Sequence, residues 1–191
     1  LFAIAMTLLV VGIEVPDIPE TESVGELWDA VTDLDSSFIS FFISFFVIGR
    51  YWVAHHVFFS QLQRMDRGLI WLNIIYLSFI AFLPFPTALL GNFFENPLAF
   101  TIYAVAVAVV SGMELVMFRH AYRHGLLRRQ IPEDVYRWGA MLSLSPVIFF
   151  MLSIPVAFID STFAVLVWLL AIPFQAIADR WKPEGADELL S

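Results

Sequence analysis

Four ionisable side chains that lie inside long apolar stretches have the most chemistry to offer in this sequence. Arg50, His55 and His56 occupy one stretch and Glu114 occupies another. Charged groups within a bilayer are costly and commonly mark transport pathways or proton relays. The alternative is that they lie near the lipid headgroups and brace the helix bundle. Arg50 and Glu114 could form an ion pair if their helices are neighbours, and Asn73, in a third stretch, is expected to form a hydrogen bond between helices.

The two adjacent histidines do not predict a metal site. Consecutive residues on a helix point ~100° apart, so His55 and His56 cannot converge on one ion. The sequence has no cysteine, no HExxH motif and no pair of intramembrane carboxylates, which leaves metalloprotease and proton-pump functions without a motif. We therefore expect no enzymatic activity, no bound metal and no cofactor.

The composition indicates a membrane protein. Of the 191 residues, 60% are hydrophobic, and the mean hydropathy is +0.80. Such a chain has too little polar surface to cover a soluble core. Its ten basic residues do not build the positive surface that a nucleic acid requires. The expected surroundings are membrane lipids, and a nucleic-acid partner is excluded.

The apolar segments that must position these side chains predict an all-α membrane protein with six transmembrane helices. The six-span domain covers residues 1–178, and a tail follows at 179–191. Pro84 and Pro86 must kink or end the third span. The predicted spans are residues 1–14, 35–60, 69–90, 97–118, 136–158 and 162–178. The first is shorter than the ~20 residues that a crossing needs, so we expect at least two further helical turns before Leu1.

Charge is distributed unevenly along the chain. The segment from Glu14 to Asp35 holds eight carboxylates and no Lys or Arg, whereas all ten basic residues fall at the opposite ends of the predicted spans. By the positive-inside rule the termini are cytoplasmic and the acidic segment is outside. Within that segment, residues 22–33 predict a short interfacial helix whose apolar side carries Leu27, Trp28 and Val31.

The opening segment, LFAIAMTLLVVGIE, predicts an apolar helix with a single polar side chain, Thr7. On a period of 3.6 residues, Ile4, Leu8 and Val11 share one stripe, and Thr7 lies on the same face. From the residues alone, a helix that faces lipid or other helices is a sufficient interpretation.

Three stretches, in this order, resemble the transmembrane protein 175 family of lysosomal potassium channels and their bacterial homologues. LFAIAMTLLVVGIEVP resembles the family's first helix, which follows an Arg-x-x-x-Phe-Ser-Asp signature that would precede Leu1. GRYWVAHHVFF, with Trp52 and the histidine pair, resembles the second helix, and NIIYLSFIAFLPFPTALLG resembles the third. The acidic outer loop and the number of spans match the family over essentially the whole chain.

The resemblance implies a homotetramer in a bacterial cell membrane that conducts potassium ions. In the family, four copies of the first helix line a central pore, and large aliphatic side chains constrict it. These match Ile4, Leu8 and Val11, although the family often has leucine at the position of Val11. Thr7 matches a threonine proposed to help select potassium. The polar residues named above, together with Trp52, are then expected to form a structural network between helices.

No TVGYG segment is present to supply a carbonyl filter. We therefore expect a gate made of aliphatic rings that exclude water, with moderate selectivity from the Thr7 hydroxyls. Two other hypotheses remain. One is a secondary or proton-coupled transporter that uses Arg50, His55, His56 and Glu114, although no inverted repeat of the kind common in carriers is visible. The other is a membrane scaffold without transport.

Overall fold

The computed structural model of the chain describes residues 1–17 and 23–186. Apart from one isolated β-bridge, the regular secondary structure of these residues is helical, which confirms the predicted all-α class. The helices are α1 (Phe2–Val11), α2 (Val24–Thr32), α3 (Asp35–Ser60), α4 (Arg67–Phe82), α5 (Pro84–Asn92), α6 (Pro97–Arg123), α7 (Glu133–Ala157), α8 (Ser161–Leu169) and α9 (Ala171–Ala178), and a 3₁₀ turn follows at Asp179–Trp181.

Five helical segments in the described part of the chain are long and apolar enough to cross a membrane. α3, α6 and α7 each form one, the pair α4–α5 forms another, and α8, α9 and the 3₁₀ turn form the last. α1 is apolar but has only ten residues. This corresponds to ~15 Å of helix against a hydrocarbon core of ~30 Å, so the sixth crossing stays a prediction.

Prolines lie at both places where a predicted span is interrupted. α4 ends at Phe82 and α5 begins at Pro84, because a proline ring has no N–H and clashes with the preceding turn. This is the predicted kink. The break between α8 and α9 at Leu170 is not predicted by the sequence patterns. Pro173 lies in the first turn of α9, where a missing N–H is tolerated, and it prevents α8 from continuing unbroken.

α6 lies at the centre of the fold. It packs against α4, α5 and α7, and Phe100, Tyr103, Val107 and Val110 on it are almost completely buried. Small residues such as Ala104 alternate with these large ones. Small side chains let membrane helices approach closely, so α6 can contact neighbours on several sides.

Hydroxyl groups tie α3 to α5 and α6 in the apolar interior. Ser44 donates a hydrogen bond to the hydroxyl of Tyr103 at 2.9 Å, and Thr87 Oγ1 lies 2.8 Å from Ser44 Oγ. Farther along α3, the Tyr51 hydroxyl lies 2.6 Å from Ser111 Oγ. A polar group in apolar surroundings is costly without a partner, so these pairs fix how the three helices are aligned.

The loops that carry basic residues meet at one end of the bundle. The loop after α3 contacts the loop after α6, where the N–H of Gln63 donates to the carbonyl of Leu126 at 2.8 Å. The indole N–H of Trp138, near the start of α7, donates to the carbonyl of Ala178 at 3.0 Å, which brings the end of α9 to the same place. At the other end, Ser36 Oγ donates to the carbonyl of Gly91 at 2.8 Å.

The residues that follow α9 pack back onto the bundle. Ala186 is buried against Val135 and Trp138. The first part of the predicted tail is therefore attached to the start of α7. Residues 187–191 of that tail lie outside the described residues.

Candidate functional site

One face of α1 packs against the rest of the chain. Phe2, Ala5 and Leu9 are buried in contacts with α3, α4 and α5. Gly12, just after α1, approaches α5 so closely that a Cβ on it would lie 3.0 Å from the Cβ of Ala88. Because small residues permit such close approach, α1 is held against its neighbours from its first turn to its last.

The opposite face of α1 is bare. Ile4, Leu8 and Val11 are 64%, 46% and 72% exposed. Thr7 is exposed too, and its hydroxyl donates to the carbonyl of Ile4 at 2.8 Å. Because the hydroxyl proton is used within the helix, the Thr7 oxygen keeps a lone pair that can face a cation. The four residues predicted to line a pore thus share one surface that the described residues leave uncovered.

An aromatic and polar cluster holds the first turn of α1. The centroid of the Phe2 ring lies 5.3 Å from that of His55 and 6.3 Å from that of Tyr76. The His55 and Tyr76 rings stack with their centroids 5.6 Å apart. A 2.9 Å hydrogen bond joins His55 Nε2 to Asn73 Oδ1. His55 and Asn73, two residues of the predicted polar network, therefore contact each other. Through Phe2 they hold the first turn of α1, the helix that carries the bare face.

Trp52 and His56 lie on a different side of α3. Their rings stack 5.9 Å apart, and both side chains are exposed. The rings of His55 and His56 therefore have different neighbours, as expected from their angular separation on a helix. Residues 1–17 and 23–186 contain no group of three or more His, Cys, Asp or Glu side chains that could hold a metal ion.

Arg50 and Glu114 line the same two cavities but do not form the ion pair considered for them. Their nitrogen and oxygen atoms do not come within 4.0 Å, and Glu114 Oε1 has no hydrogen-bond partner among the described residues. His55 is occupied elsewhere, with Asn73 and Tyr76. The four ionisable residues thus form no common site, and the transporter hypothesis loses the shared site that it requires.

One polar contact at the basic end is not predicted by the sequence patterns. Asp66 accepts a hydrogen bond from the N–H of Leu69 at 2.7 Å, and its two carboxylate oxygens both lie 3.0 Å from His120 Nε2. The Leu69 hydrogen bond and, after it, the contact with His120 hold the pKa of Asp66 below its usual range. An Asp before an apolar helix is a recognised start signal, but a contact across 54 positions has no local signature.

The acidic segment contains the short helix that its sequence predicts. α2 begins with a reciprocal cap between Ser23 and Glu26. Leu27 and Trp28 are exposed, and no residue of α2 is buried, so its apolar side has no internal core to cover. The predicted first residue, Glu22, lies outside the described residues, as does Glu20.

Residues 1–84 match the family described as "Endosomal/lysosomal potassium channel TMEM175". A potassium channel of Streptomyces collinus is 36% identical over 123 residues, which are 64% of this chain and 58% of that protein. A potassium channel of Chamaesiphon minutus is 38% identical over 126 residues, 64% of this chain and 60% of that protein. The endosomal/lysosomal proton channel TMEM175 of Gallus gallus is 33% identical over 50% of this chain and 20% of that protein. The matches therefore span less than two thirds of these relatives' own lengths.

A structural relative extends the match to almost the whole chain. The crystal structure of a lysosomal potassium-selective channel TMEM175 homolog from Chamaesiphon minutus superposes with a TM-score of 0.72 at 32% identity, and the match covers 93% of this chain and 92% of that one. The match thus includes α6 to α9, which lie beyond residue 84. With five helices able to cross a membrane, the chain is a multi-pass membrane protein, and it belongs to the TMEM175 family of channels.

Proposed function

We propose that this chain is one subunit of a homotetrameric, potassium-permeable cation channel in which four copies of α1 surround the ion path. The observation that carries this proposal is the division of α1 into two faces. Phe2, Ala5 and Leu9 are buried within the chain, whereas the face that contains Ile4 and Thr7 is left bare. A bare face on an otherwise packed helix suits contact with copies of itself around an axis.

The names of the relatives bear on the permeant ion. The bacterial relatives are named potassium channels, and the vertebrate relatives are named proton channels. The potassium channels of Streptomyces collinus and Chamaesiphon minutus are 36% and 38% identical to this chain, against 33% for the proton channel of Gallus gallus, which supports potassium. The proposed location is a bacterial plasma membrane with the basic end in the cytoplasm, in line with the positive-inside rule.

In a tetramer each position of α1 repeats four times around the axis. Rings of Ile4, Leu8 and Val11 side chains close the path by excluding water, which stops ions without a charged gate. A ring of Thr7 hydroxyls offers neutral oxygens, which suit a weakly hydrated monovalent cation. Such a ring replaces less of the ion's hydration shell than stacked carbonyl rings do, so discrimination of potassium from sodium is moderate.

Single cysteines on α1 test the ion path against a clean background, because the chain contains no cysteine. The Ile4→Cys and Val11→Cys variants of the full-length protein, reconstituted in bilayers, are expected to lose most of their potassium current when a membrane-impermeant thiol reagent is added. Val10→Cys is the matched control, since Val10 is 55% exposed on the same helix but ~100° from Val11. It should keep its current.

Three outcomes contradict the proposed pore. If the thiol reagent reduces the potassium current of the Val10→Cys control as much as that of the Ile4→Cys and Val11→Cys variants, the bare face does not line the ion path. Slow, saturable flux in place of single-channel steps indicates a carrier. If the unmodified protein carries no current under any ion gradient, it is a scaffold without transport activity.

A further inference from the structure

A lateral cavity of about 470 Å³ lies between α3, α6, α7 and the α8–α9 segment. Its wall is mostly apolar, and the rings of Phe150 and Trp168 stack there with their centroids 4.8 Å apart. A second cavity of about 330 Å³ adjoins it. Four residues line both cavities and mark the place where they meet, namely Arg50, Glu114, Leu142 and Ser143. A cavity of this size with few polar groups is typical of a site for a mostly apolar ligand.

One carboxyl group faces these two cavities. Among the described residues that line them, Glu114 alone carries a carboxylate. Its Oε1 atom is buried and has no hydrogen-bond partner in the described part of the chain. A buried polar atom without a partner is costly, and a water molecule would itself need roughly two to four polar partners. The mostly apolar wall therefore favours a ligand that has one polar group for Oε1 and an apolar body.

Arg50 lines both cavities too, but it does not satisfy Glu114. Its side chain is exposed, and within residues 1–17 and 23–186 its nitrogens do not come within 4.0 Å of a carboxylate oxygen. An exposed arginine can place its stem along apolar surface and keep its guanidinium in polar surroundings. The polar group that the site lacks is thus one that pairs with a carboxyl group, which is a base and not a second acid.

The depth of Glu114 in the bundle decides how such a ligand arrives. Glu114 lies ~14 Å along α6 from the last residue of that helix, Arg123, well inside a hydrocarbon core of ~30 Å. The cavity opens at the side of the chain, where its lining residues Phe42 and Phe46 are 55% and 71% exposed. The ligand must therefore dissolve in the bilayer interior, as an amine on a large apolar body does in its neutral form.

We propose that this double cavity binds a lipophilic amine, a ligand with an aromatic body and one basic nitrogen. The nitrogen lies at Glu114 Oε1, and the two groups share one proton. Either an ammonium donates its N–H to the carboxylate, or a carboxylic acid donates its O–H to the neutral amine. The body lies among Phe42, Phe46 and Phe150, where rings pack by offset or edge contacts. The described lining contains no residue of α1, so the site does not depend on the proposed pore.

Three ligands with the same ring test the preference on the unmodified protein. Naphthylmethylamine, naphthylmethanol and naphthylacetate carry a basic, a neutral and an acidic group. Binding of each tritiated ligand to the full-length protein in lipid nanodiscs is measured by scintillation proximity, and excess unlabelled ligand corrects for partition into the lipid. The amine should bind about tenfold more tightly than the alcohol, because a charge-assisted hydrogen bond is the stronger one. The acid should bind more weakly than both.

Two substitutions with opposite expectations separate the roles of the charged residues. Glu114→Gln should lower the affinity for the amine about tenfold and leave that for the alcohol unchanged, which shows that the cavity itself is intact. Arg50→Gln removes a charge of the same sign as the ammonium, so it should keep or raise the affinity for the amine. Asp134→Asn, at an exposed position outside both cavities, is the control and should change neither affinity.

A steric variant tests the position of the ligand. Ser143→Phe places a ring where the cavities meet, so saturable binding of the amine and of the alcohol should both be lost. Ser143→Leu replaces this variant if its oligomer size or unfolding temperature differs from that of the unmodified protein. Equal affinities for the three ligands, tighter binding of the acid than of the amine, or unchanged amine affinity in Glu114→Gln or in the folded steric variant overturns the proposal. An equal loss in Arg50→Gln and Glu114→Gln also contradicts it.

Discussion

The carboxylate of Asp66 makes two contacts. It caps α4 through the N–H of Leu69 and reaches His120 on α6, across the basic end. This approach requires Gly68, because a Cβ there would lie 2.7 Å from the His120 ring. The charge on Asp66 thus links the start of one helix to the end of another.

Asp66→Asn is expected to make the unfolding temperature of the protein less dependent on pH under acidic conditions. The Leu69 hydrogen bond, and then His120, lower the pKa of Asp66 from its ordinary value of 3.8, so the folded protein favours the charged form more than the unfolded chain does. This contribution is present above the ordinary pKa and is lost as the pH falls through the lower folded pKa. The unfolding temperature of the unmodified protein in detergent should therefore fall more steeply below about pH 4 than that of the variant. Asp134→Asn is the control, and identical profiles for Asp66→Asn and the unmodified protein contradict the assignment.

The Thr7 hydroxyl gives the proposed pore a selectivity test at the level of one atom. Thr7→Ala removes the oxygen, and we expect the potassium-to-sodium permeability ratio to fall about two- to fivefold, or ~0.4–1 kcal/mol, the size of a modest polar contact. Reversal potentials under bi-ionic conditions measure the ratio. Thr7→Ser keeps the hydroxyl and should keep the ratio, so equal changes in the two variants would exclude the hydroxyl as the determinant.

At the level of helices, α3 and α5 approach each other through small residues. Ser36 donates to the carbonyl of Gly91, and a Cβ on Gly91 would lie 3.1 Å from the Cα of Ser37. Because the obstructing atom belongs to the backbone, a change of side-chain rotamer cannot relieve this clash. The contact holds α5, which in turn packs against α1.

Gly91→Ala is expected to destabilise the protein by ~1–3 kcal/mol, the usual cost of overpacking. Gly112→Ala is the matched control on α6, where an added Cβ meets no atom within 4 Å. Because alanine favours helix more than glycine, that variant should be stabilised by ~0.5–1 kcal/mol. Unfolding in detergent measures both, and a stabilising effect of Gly91→Ala would show that α3 and α5 are farther apart than described.

At the level of the whole molecule, the basic loops lie at one end of the helix bundle. The acidic segment follows the last residue of α1, at the other end of the bundle. In the proposed channel these carboxylates raise the cation concentration near the mouth. Their field reaches ~10 Å at 0.1 M salt but only ~3 Å at 1 M. They should therefore affect conductance without choosing between potassium and sodium.

Conversion of Glu26, Asp29 and Asp33 to amides is expected to lower single-channel potassium conductance in dilute salt. The difference should vanish near ~1 M salt because the field is screened, and the permeability ratio should stay constant. Single-channel recording over a salt series measures this. Glu133→Gln with Asp134→Asn, at the basic end, is the control. A loss of conductance that persists at high salt would indicate a structural effect instead.

The family relationship and the helical class follow from local sequence. Long apolar stretches predict where helices begin and end because burying backbone polar groups in lipid demands helix. The period of 3.6 residues places Ile4, Leu8 and Val11 on one stripe with Thr7 beside it, and Pro84 predicts the break between α4 and α5. Each of these features depends on residues within a few turns of one another.

Only the tertiary structure decided which face of α1 is covered, because a stripe on an apolar helix has no mark that distinguishes a bare surface from a buried one. It also decided that His55 joins Asn73, that Asp66 reaches His120, and that Arg50 and Glu114 line a shared cavity without forming an ion pair. These outcomes depend on how helices far apart in the chain pack. The free energy of a polar or apolar contact depends on the partner that packing supplies, and no local pattern of residues contains that partner.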